Sequence, residues 1–127
     1  MNSAQQIVRE FHTLIGAYTV DRPMIPTIGI RELRKRLIEE EWEEFCRASD
    51  SGSLVDVADA LGDLLVVVYG AGLAFGLDLE PIFKEIHRTN MLKIGGPTRA
   101  DGKQLKPEGW QPPDLETIVY DQFGATD

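Results

Sequence analysis

The stretch from Leu37 to Asp63 constrains the fold of this chain more than any other. It holds nine acidic side chains and only one basic one. The last two acids, Asp59 and Asp63, interrupt a run that is otherwise apolar and suited to a protein core. Burying a carboxylate in such a run is costly unless a counter-charge is present, and residues 54–83 contain no Lys or Arg. We therefore expect a metal ion to be the missing partner.

Length, cysteine content and charge restrict the class of protein. A chain of 127 residues suits one domain, residues 1–127, with a core of its own. The single cysteine, Cys46, excludes an internal disulfide framework and fits a reducing cytoplasm, and the N-terminal residues do not read as a secretory leader. The longest apolar stretch, residues 64–77, is too short to cross a bilayer. A net charge of −8 argues against nucleic-acid binding.

Apolar periodicity predicts four helices, at about residues 4–19, 30–49, 53–76 and 79–91. Glycines and prolines predict a tail from about residue 95 to 127, with a short hairpin near Asp101 and one more short helix at 115–123. The expected architecture is all-α, a four-helix bundle (core helices about 4–91) with a loop-rich C-terminal tail. Apolar stripes are expected to face the core, namely Ile7, Phe11, Leu14, Ile15 and Tyr18 on the first helix and Ile82, Phe83, Ile86 and Met91 on the fourth.

The third predicted helix is apolar and contains Gly70, Gly72 and Gly76. Each interior glycine costs a helix about 1 kcal/mol relative to alanine. Such a cost is tolerable where another backbone approaches closely, from the same chain or from a partner subunit. The pattern therefore suggests a homodimer.

The acids fall on helix faces that suit a hard cation. On the second helix, Glu40, Glu41 and Glu44 project from neighbouring positions. On the third, Asp56, Asp59 and Asp63 lie at i, i+3 and i+7. Carboxylate oxygens are the ligands that Mg²⁺ or Mn²⁺ prefers, and such ions hold polyphosphates.

The segment from Lys84 to Lys106 supplies six basic residues against two acidic ones. An acidic pocket facing a basic arm fits metal-bound polyphosphate, although a solvated basic loop has the same composition. A di-iron bundle is disfavoured because neither His12 nor His87 follows a glutamate by three residues. A charged surface helix beside two aspartates bound to backbone donors remains the structural alternative.

Three blocks of sequence resemble the MazG-like all-α nucleoside triphosphate pyrophosphatases. The first is Leu-Ile-Glu-Glu-Glu-Trp-Glu-Glu-Phe at 37–45, followed by Asp-Ala-Leu-Gly-Asp-Leu-Leu at 59–65. The second, His-Arg-Thr-Asn-Met-Leu-Lys at 87–93, is similar to the signature of the phosphoribosyl-ATP-pyrophosphohydrolase-like branch. The third is the tail from Asp101 to Asp114. Together they extend the resemblance over nearly the whole chain.

The resemblance implies Mg²⁺-dependent hydrolysis between the α- and β-phosphates of a nucleoside triphosphate, by a homodimer or a dimer of dimers. By position, Glu41 and Glu44 would bind the metal, and Glu40 would orient or deprotonate water. The family's second acidic element is usually Glu-x-x-Asp, which this chain does not match. One register uses Asp59 and Asp63, and the other uses Asp56 and Asp59.

The resemblance also implies a set of substrate-binding residues in the fourth helix and the tail. His87, Asn90 and Lys93 would face the substrate, and Lys103 and Lys106 would add phosphate contacts from the tail. Pyrimidine deoxynucleotides such as dUTP are the expected substrates. The alternatives are hydrolysis of phosphoribosyl-ATP and a non-catalytic dimer that binds metal or nucleotide to regulate a partner.

Overall fold

The computed structural model describes residues 1–124, and these form five helices with no strand longer than a single bridge. The helices are Ser3–Ile15 (α1), Ile28–Ser51 (α2), Leu54–Ala74 (α3), Leu79–Met91 (α4) and Leu115–Gly124 (α5). The bridge, between Thr98 and Gln104, closes the predicted turn in the tail. The all-α class is therefore confirmed. The last three residues of the predicted tail lie outside the described residues.

Glycines in the left-handed region decide where the first two helices end. Gly16 has φ +72°, and the next amide, that of Ala17, donates to the carbonyl of His12 at 2.9 Å. This C-cap ends α1 at Ile15, so the prediction that the first helix reaches residue 19 was wrong. Gly52, with φ +73°, ends α2 two residues later than predicted.

Side-chain caps begin α3 and α4 where the sequence predicts them. Ser53 Oγ accepts from the amide of Asp56 at 3.2 Å. Asp78 Oδ1 accepts from the amide of Glu80 at 3.1 Å. Both caps satisfy amides that have no partner inside the helix.

The main packing contact joins α2 to α3, and α1 packs against α3. Because only two residues connect α2 and α3, the two helices run antiparallel. Gln5, fully buried on α1, holds the turn between α3 and α4 by donating to the carbonyl of Leu77 at 2.8 Å and accepting from the amide of Leu79 at 3.0 Å. These contacts place α1 across the C-terminal half of α3.

The apolar stripes predicted to be buried are largely exposed in the single chain, so this part of the prediction was wrong. On α1, Leu14 is 80% exposed, and the buried side chains are Gln5, Val8 and His12. On α4, Phe83 is 70% exposed, and Thr89 is the buried residue of the helix. Periodicity predicted which side chains share a helix face, but it did not predict that the packing within residues 1–124 leaves these faces uncovered.

Gly72 of α3 and Gly76 in the turn that follows it make room for parts of the same chain. A Cβ at Gly72 would lie 2.9 Å from Gln5 Nε2, and a Cβ at Gly76 would collide with the carbonyl of Arg22. These positions therefore do not indicate a partner subunit, and the argument for a homodimer from glycine content does not hold.

The helix α3 is 21 residues long and meets the length and composition of a membrane-spanning helix. The expectation from length concerned the apolar run at 64–77, whereas the helix that meets the criterion also includes residues 54–63. Core helices of soluble proteins meet the same criterion. Here α3 carries Asp56, Asp59 and Asp63 and packs along α2.

Candidate metal and nucleotide site

An acidic cluster lies where α2 crosses the middle of α3. Glu41 and Glu44, one turn apart on α2, and Asp63 on α3 each place a carboxylate oxygen within 4.8 Å of the others. The buried, small Ala48 and Ala60 lie on the packed faces of the two helices, and small side chains permit close approach. The three acids are thus brought together by α2–α3 packing.

Glu41 is the member of the cluster that most needs a cation. Its Oε2 is buried without a hydrogen-bond partner. Partial burial raises the pKa of Glu41 above its usual range, and the charges of Asp63, Glu44 and Glu40 raise that pKa further. A cation at the cluster would reverse these effects, because it favours the ionised carboxylates and gives the unpaired oxygen a ligand role.

The donor set fits a hard divalent cation. It consists of oxygens alone, and the exposure of Glu44 leaves room for water and substrate oxygens. Mg²⁺ usually binds through one or two protein carboxylates plus waters and phosphates. The observed cluster meets this requirement without any further protein ligand, and the same oxygen donors suit Mn²⁺.

The other predicted acids lie beside this cluster. Glu40 is exposed on α2, next to the cluster in sequence. Asp56 and Asp59 line a neighbouring cleft of about 230 Å³ together with Glu44 and Arg47. Asp59 is exposed rather than embedded in the core, so the expected burial of this carboxylate was wrong. The assignments of Asp56 and Asp59 as metal ligands stay predictions.

The predicted substrate residues lie on α4 and the tail. His87 and Asn90 are exposed on α4, and Lys103 is exposed in the turn near the bridge. Lys93 and Lys106 place their ammonium groups 5.2 and 4.9 Å from the centre of one indole ring, that of Trp110. Within residues 1–124, no hydrogen bond or ion pair links these five side chains to the acidic cluster, and their assignments stay predictions.

The basic arm keeps only part of its positive charge free. Arg88 pairs with Glu85, Arg99 with Asp101 and Lys84 with Glu80. The remaining positive charges, Lys93, Lys103 and Lys106, form no ion pair with a described carboxylate. Two of these three lysines, Lys93 and Lys106, lie against Trp110.

Sequence reasoning missed Trp110 as an organising residue. Its Nε1 donates to the carbonyl of Thr89 at 2.7 Å, which fixes the indole against the C-terminal turn of α4. The two lysines then lie against the fixed ring, in a cation–π arrangement. The one available signal was a Trp between Gly and Pro residues in a loop that is otherwise polar.

The fold and the cluster agree with the comparison to known families. Residues 8–90 match the phosphoribosyl-ATP pyrophosphohydrolase (PRA-PH) family, part of the MazG-like superfamily of all-α pyrophosphohydrolases. The match covers more than half of the chain, and the chain belongs to this family. It includes the acidic cluster and ends at Asn90, so the resemblance of the tail stays a prediction.

A viral protein shares part of this sequence. A stretch of 49 residues is 45% identical to an uncharacterized protein of Acanthamoeba polyphaga mimivirus. The stretch covers 39% of this chain and 20% of the viral protein. The chain therefore matches about a fifth of that relative, and the similarity describes a shared segment.

Proposed function

We propose that this protein is a Mg²⁺-dependent nucleoside triphosphate pyrophosphohydrolase that cleaves between the α- and β-phosphates, with a pyrimidine deoxynucleotide such as dUTP as substrate. The observation that carries the proposal is the Glu41–Glu44–Asp63 cluster with its unpartnered, buried Glu41 Oε2. Membership in a pyrophosphohydrolase family supports the reaction class.

The acidic residues of the site would have separate roles in metal binding and proton transfer. Glu41, Glu44 and Asp63 would hold the metal, which, when bound, neutralises charge on the phosphate oxygens and lowers the pKa of water. Glu40, exposed beside the cluster, accepts a proton from the attacking water. Water oxygen bonds to the attacked phosphorus as the bond to the bridging oxygen breaks. The products are a nucleoside monophosphate and pyrophosphate.

Positive charge near Trp110 would bind the β- and γ-phosphates of the substrate, which leave together as pyrophosphate. Lys93 and Lys106 are held against one ring and have no competing carboxylate among the described residues. Within residues 1–124, no hydrogen bond or ion pair joins these lysines to the acidic cluster. A second copy that brings its lysines to the acidic cluster of the first would complete the site.

The incomplete core of the single chain supports a homodimer. Among the described residues, only Val8, Ala48, Ala60, Leu73 and Ala74 are buried hydrophobic residues. Large apolar side chains on α1, α3 and α4 are exposed, and a groove of about 310 Å³ between α3 and α4 has walls that include Leu65, Val68 and Phe83. Exposed apolar area of this extent is typical of an interface. We propose that a second copy of the chain covers this exposed apolar surface. We also propose that the protein is cytoplasmic.

Product analysis tests the reaction. Purified protein is incubated with Mg²⁺ and a panel of NTPs and dNTPs, dUTP included, and the products are separated. Monophosphate plus pyrophosphate in equal amounts supports the proposal, and diphosphate plus orthophosphate would place the cut at the terminal phosphate and refute it. Glu41→Gln is the inactive comparison, and Glu39→Gln, an exposed acid of the same helix, is the control that keeps activity.

The family name itself favours a second candidate, phosphoribosyl-ATP. The same assay separates the two, since release of pyrophosphate from phosphoribosyl-ATP alone, with no turnover of the panel, selects this candidate. No turnover of any of these compounds, together with retained Mg²⁺-dependent nucleotide binding, selects the non-catalytic regulatory dimer. Light scattering of the wild type and of Leu65→Glu tests the dimer, which the introduced charge is expected to dissociate.

A further inference from the structure

A second cavity lies away from the acidic cluster, between α1, α2 and the middle of α3. Its volume is about 270 Å³. The walls are apolar and include Phe11, Leu33, Leu37 and Val66. Ligand pockets commonly combine such walls with a few polar groups that set orientation.

The polar groups of this cavity are His12 and Arg34, each only 5% exposed. His12 Nδ1 and Arg34 Nε have no hydrogen-bond partner. Burial lowers the pKa of His12 and the charge of Arg34 lowers it further, so the imidazole is neutral at neutral pH. No carboxylate among residues 1–124 forms an ion pair with Arg34.

Gly70 on α3 makes room for both side chains. A Cβ at this position would lie 2.7 Å from His12 Cε1 and 3.2 Å from Arg34 Nη1. The two groups therefore converge on one point of α3. A glycine inside a helix costs stability. Here that cost makes room for a guanidinium and an imidazole whose Nε and Nδ1 atoms have no hydrogen-bond partner among the described residues.

The chemistry of the cavity selects its ligand. A buried guanidinium without an acceptor is unfavourable, so the occupant must bring acceptor atoms. A phosphate group would lose its hydration against walls such as Phe11 and Val66. A flat heteroaromatic ring with carbonyl or ring-nitrogen acceptors meets both conditions, because its faces are apolar and its edge is polar.

The position of the cavity relative to the acidic cluster points to the same ligand. Arg34 and Glu41 are seven residues apart on α2, which places them on one helix face about 10 Å from each other along the axis. A nucleotide whose phosphates reach the metal at Glu41 would extend its base along this face toward Arg34.

We propose that the cavity between α1, α2 and α3 receives the base of the nucleotide, with Arg34 Nε donating to an acceptor on the base edge and His12 Nδ1 making a second hydrogen bond. The inference rests on the proposed function. It assigns His12 and Arg34 to base recognition and leaves phosphate binding to the metal cluster and the lysines.

Binding measurements test the assignment without turnover. Titration calorimetry of the full chain in Mg²⁺ compares α,β-imido-dUTP, which carries a base, with inorganic pyrophosphate, which does not. Arg34→Gln is expected to weaken binding of the nucleotide analogue by about tenfold and to change pyrophosphate binding by less than about twofold. Arg36→Gln, an exposed arginine on the same helix, is the matched control and leaves both affinities unchanged.

The melting temperature of the ligand-free protein provides a second readout. Because Arg34 has no hydrogen-bond or ion-pair partner within residues 1–124, Arg34→Gln should keep or raise the melting temperature, whereas a structural role would lower it. If the neutral variant does not fold, Arg34→Lys keeps the charge, removes Nε and is expected to show the same selective loss of nucleotide affinity.

Several outcomes overturn the inference. Equal weakening of the two ligands, or no weakening of either, removes Arg34 from base recognition. Dissociation of the homodimer in Arg34→Gln assigns the cavity to the contact between copies. If the wild type binds pyrophosphate in Mg²⁺ and binds the nucleotide analogue no more tightly, the base pocket alone is refuted. If the wild type binds neither ligand, the proposed function is refuted as well.

Discussion

Replacing Glu41 by glutamine should change stability in opposite directions without and with metal. Carboxylate oxygens of Glu44 and Asp63 lie within 4.8 Å of one from Glu41, and at this distance two unit charges repel by about 0.9 kcal/mol in water and about 3.5 kcal/mol at an effective permittivity of 20. Because the site is partly open to solvent, the lower value applies to each pair. Glu41→Gln is therefore expected to raise the free energy of unfolding of the metal-free protein by about 1–2 kcal/mol at neutral pH.

The sign of the pH dependence follows from the raised pKa of Glu41. A carboxylate with a folded-state pKa above its unfolded value destabilises the fold once the pH exceeds both values. The advantage of Glu41→Gln should therefore grow as the pH rises through the unfolded-state pKa and then the folded-state pKa of Glu41. It should vanish below about pH 4, where Glu41 is protonated in both states.

Metal reverses the order of the two proteins. Mg²⁺ at a concentration of about one hundred times its dissociation constant adds about 2.7 kcal/mol to the wild type. Glu41→Gln lacks one ionised ligand and loses most of this gain. Wild type should therefore be the less stable protein in EDTA and the more stable one in Mg²⁺.

Thermal denaturation at one fixed protomer concentration measures both effects. The metal-free shift should be about 5 °C upward for Glu41→Gln, and Glu39→Gln, away from the cluster, should follow the wild type in both buffers. A lower melting temperature of Glu41→Gln in EDTA would show that the carboxylate is structural. An unchanged response to Mg²⁺ would show that the cation does not bind there.

Three further predictions concern the tail and the turns. Trp110→Leu should raise KM for the nucleotide by about tenfold with kcat nearly unchanged, because the ring that orders two lysines is lost. Steady-state kinetics measures both constants, and a fall in kcat alone would contradict the prediction. Hydrogen bonds with Arg88 and with the amide that precedes α5 hold the pKa of Glu85 at about 2. Glu85 should therefore stabilise the docked tail above about pH 4 and lose that effect as the pH falls toward 2. NMR titration of the carboxyl group should give the low pKa, and an ordinary value would refute the contact. Gly76→Ala should destabilise the fold more than Gly16→Ala, since both glycines have positive φ but only Gly76 also has a backbone carbonyl in the way; equal melting temperatures of the two variants would contradict this reasoning.

Local chemistry let the sequence determine most of the secondary structure. Prolines, capping residues and apolar periodicity act over a few residues, so α4 was predicted with its observed bounds, and Ser53 and Asp78 cap the helices that they were expected to cap. The pairing of Glu41 with Glu44 was also readable, since residues three apart on a helix always share a face. The α1 end was not, because Gly16 was read as part of an amphipathic run.

Only the tertiary structure decided how the helices use their faces. The sequence left three aspartates of α3 as candidates, and the axial register of α2 on α3 brings Asp63 to Glu41 while it leaves Asp59 exposed. The packing of the helices also leaves the apolar stripes of α1 and α4 exposed and buries His12 and Arg34 against Gly70. Periodicity fixes the direction in which a side chain points from its own helix, but register and burial depend on contacts between residues far apart in the chain, and these exist only once the helices have packed.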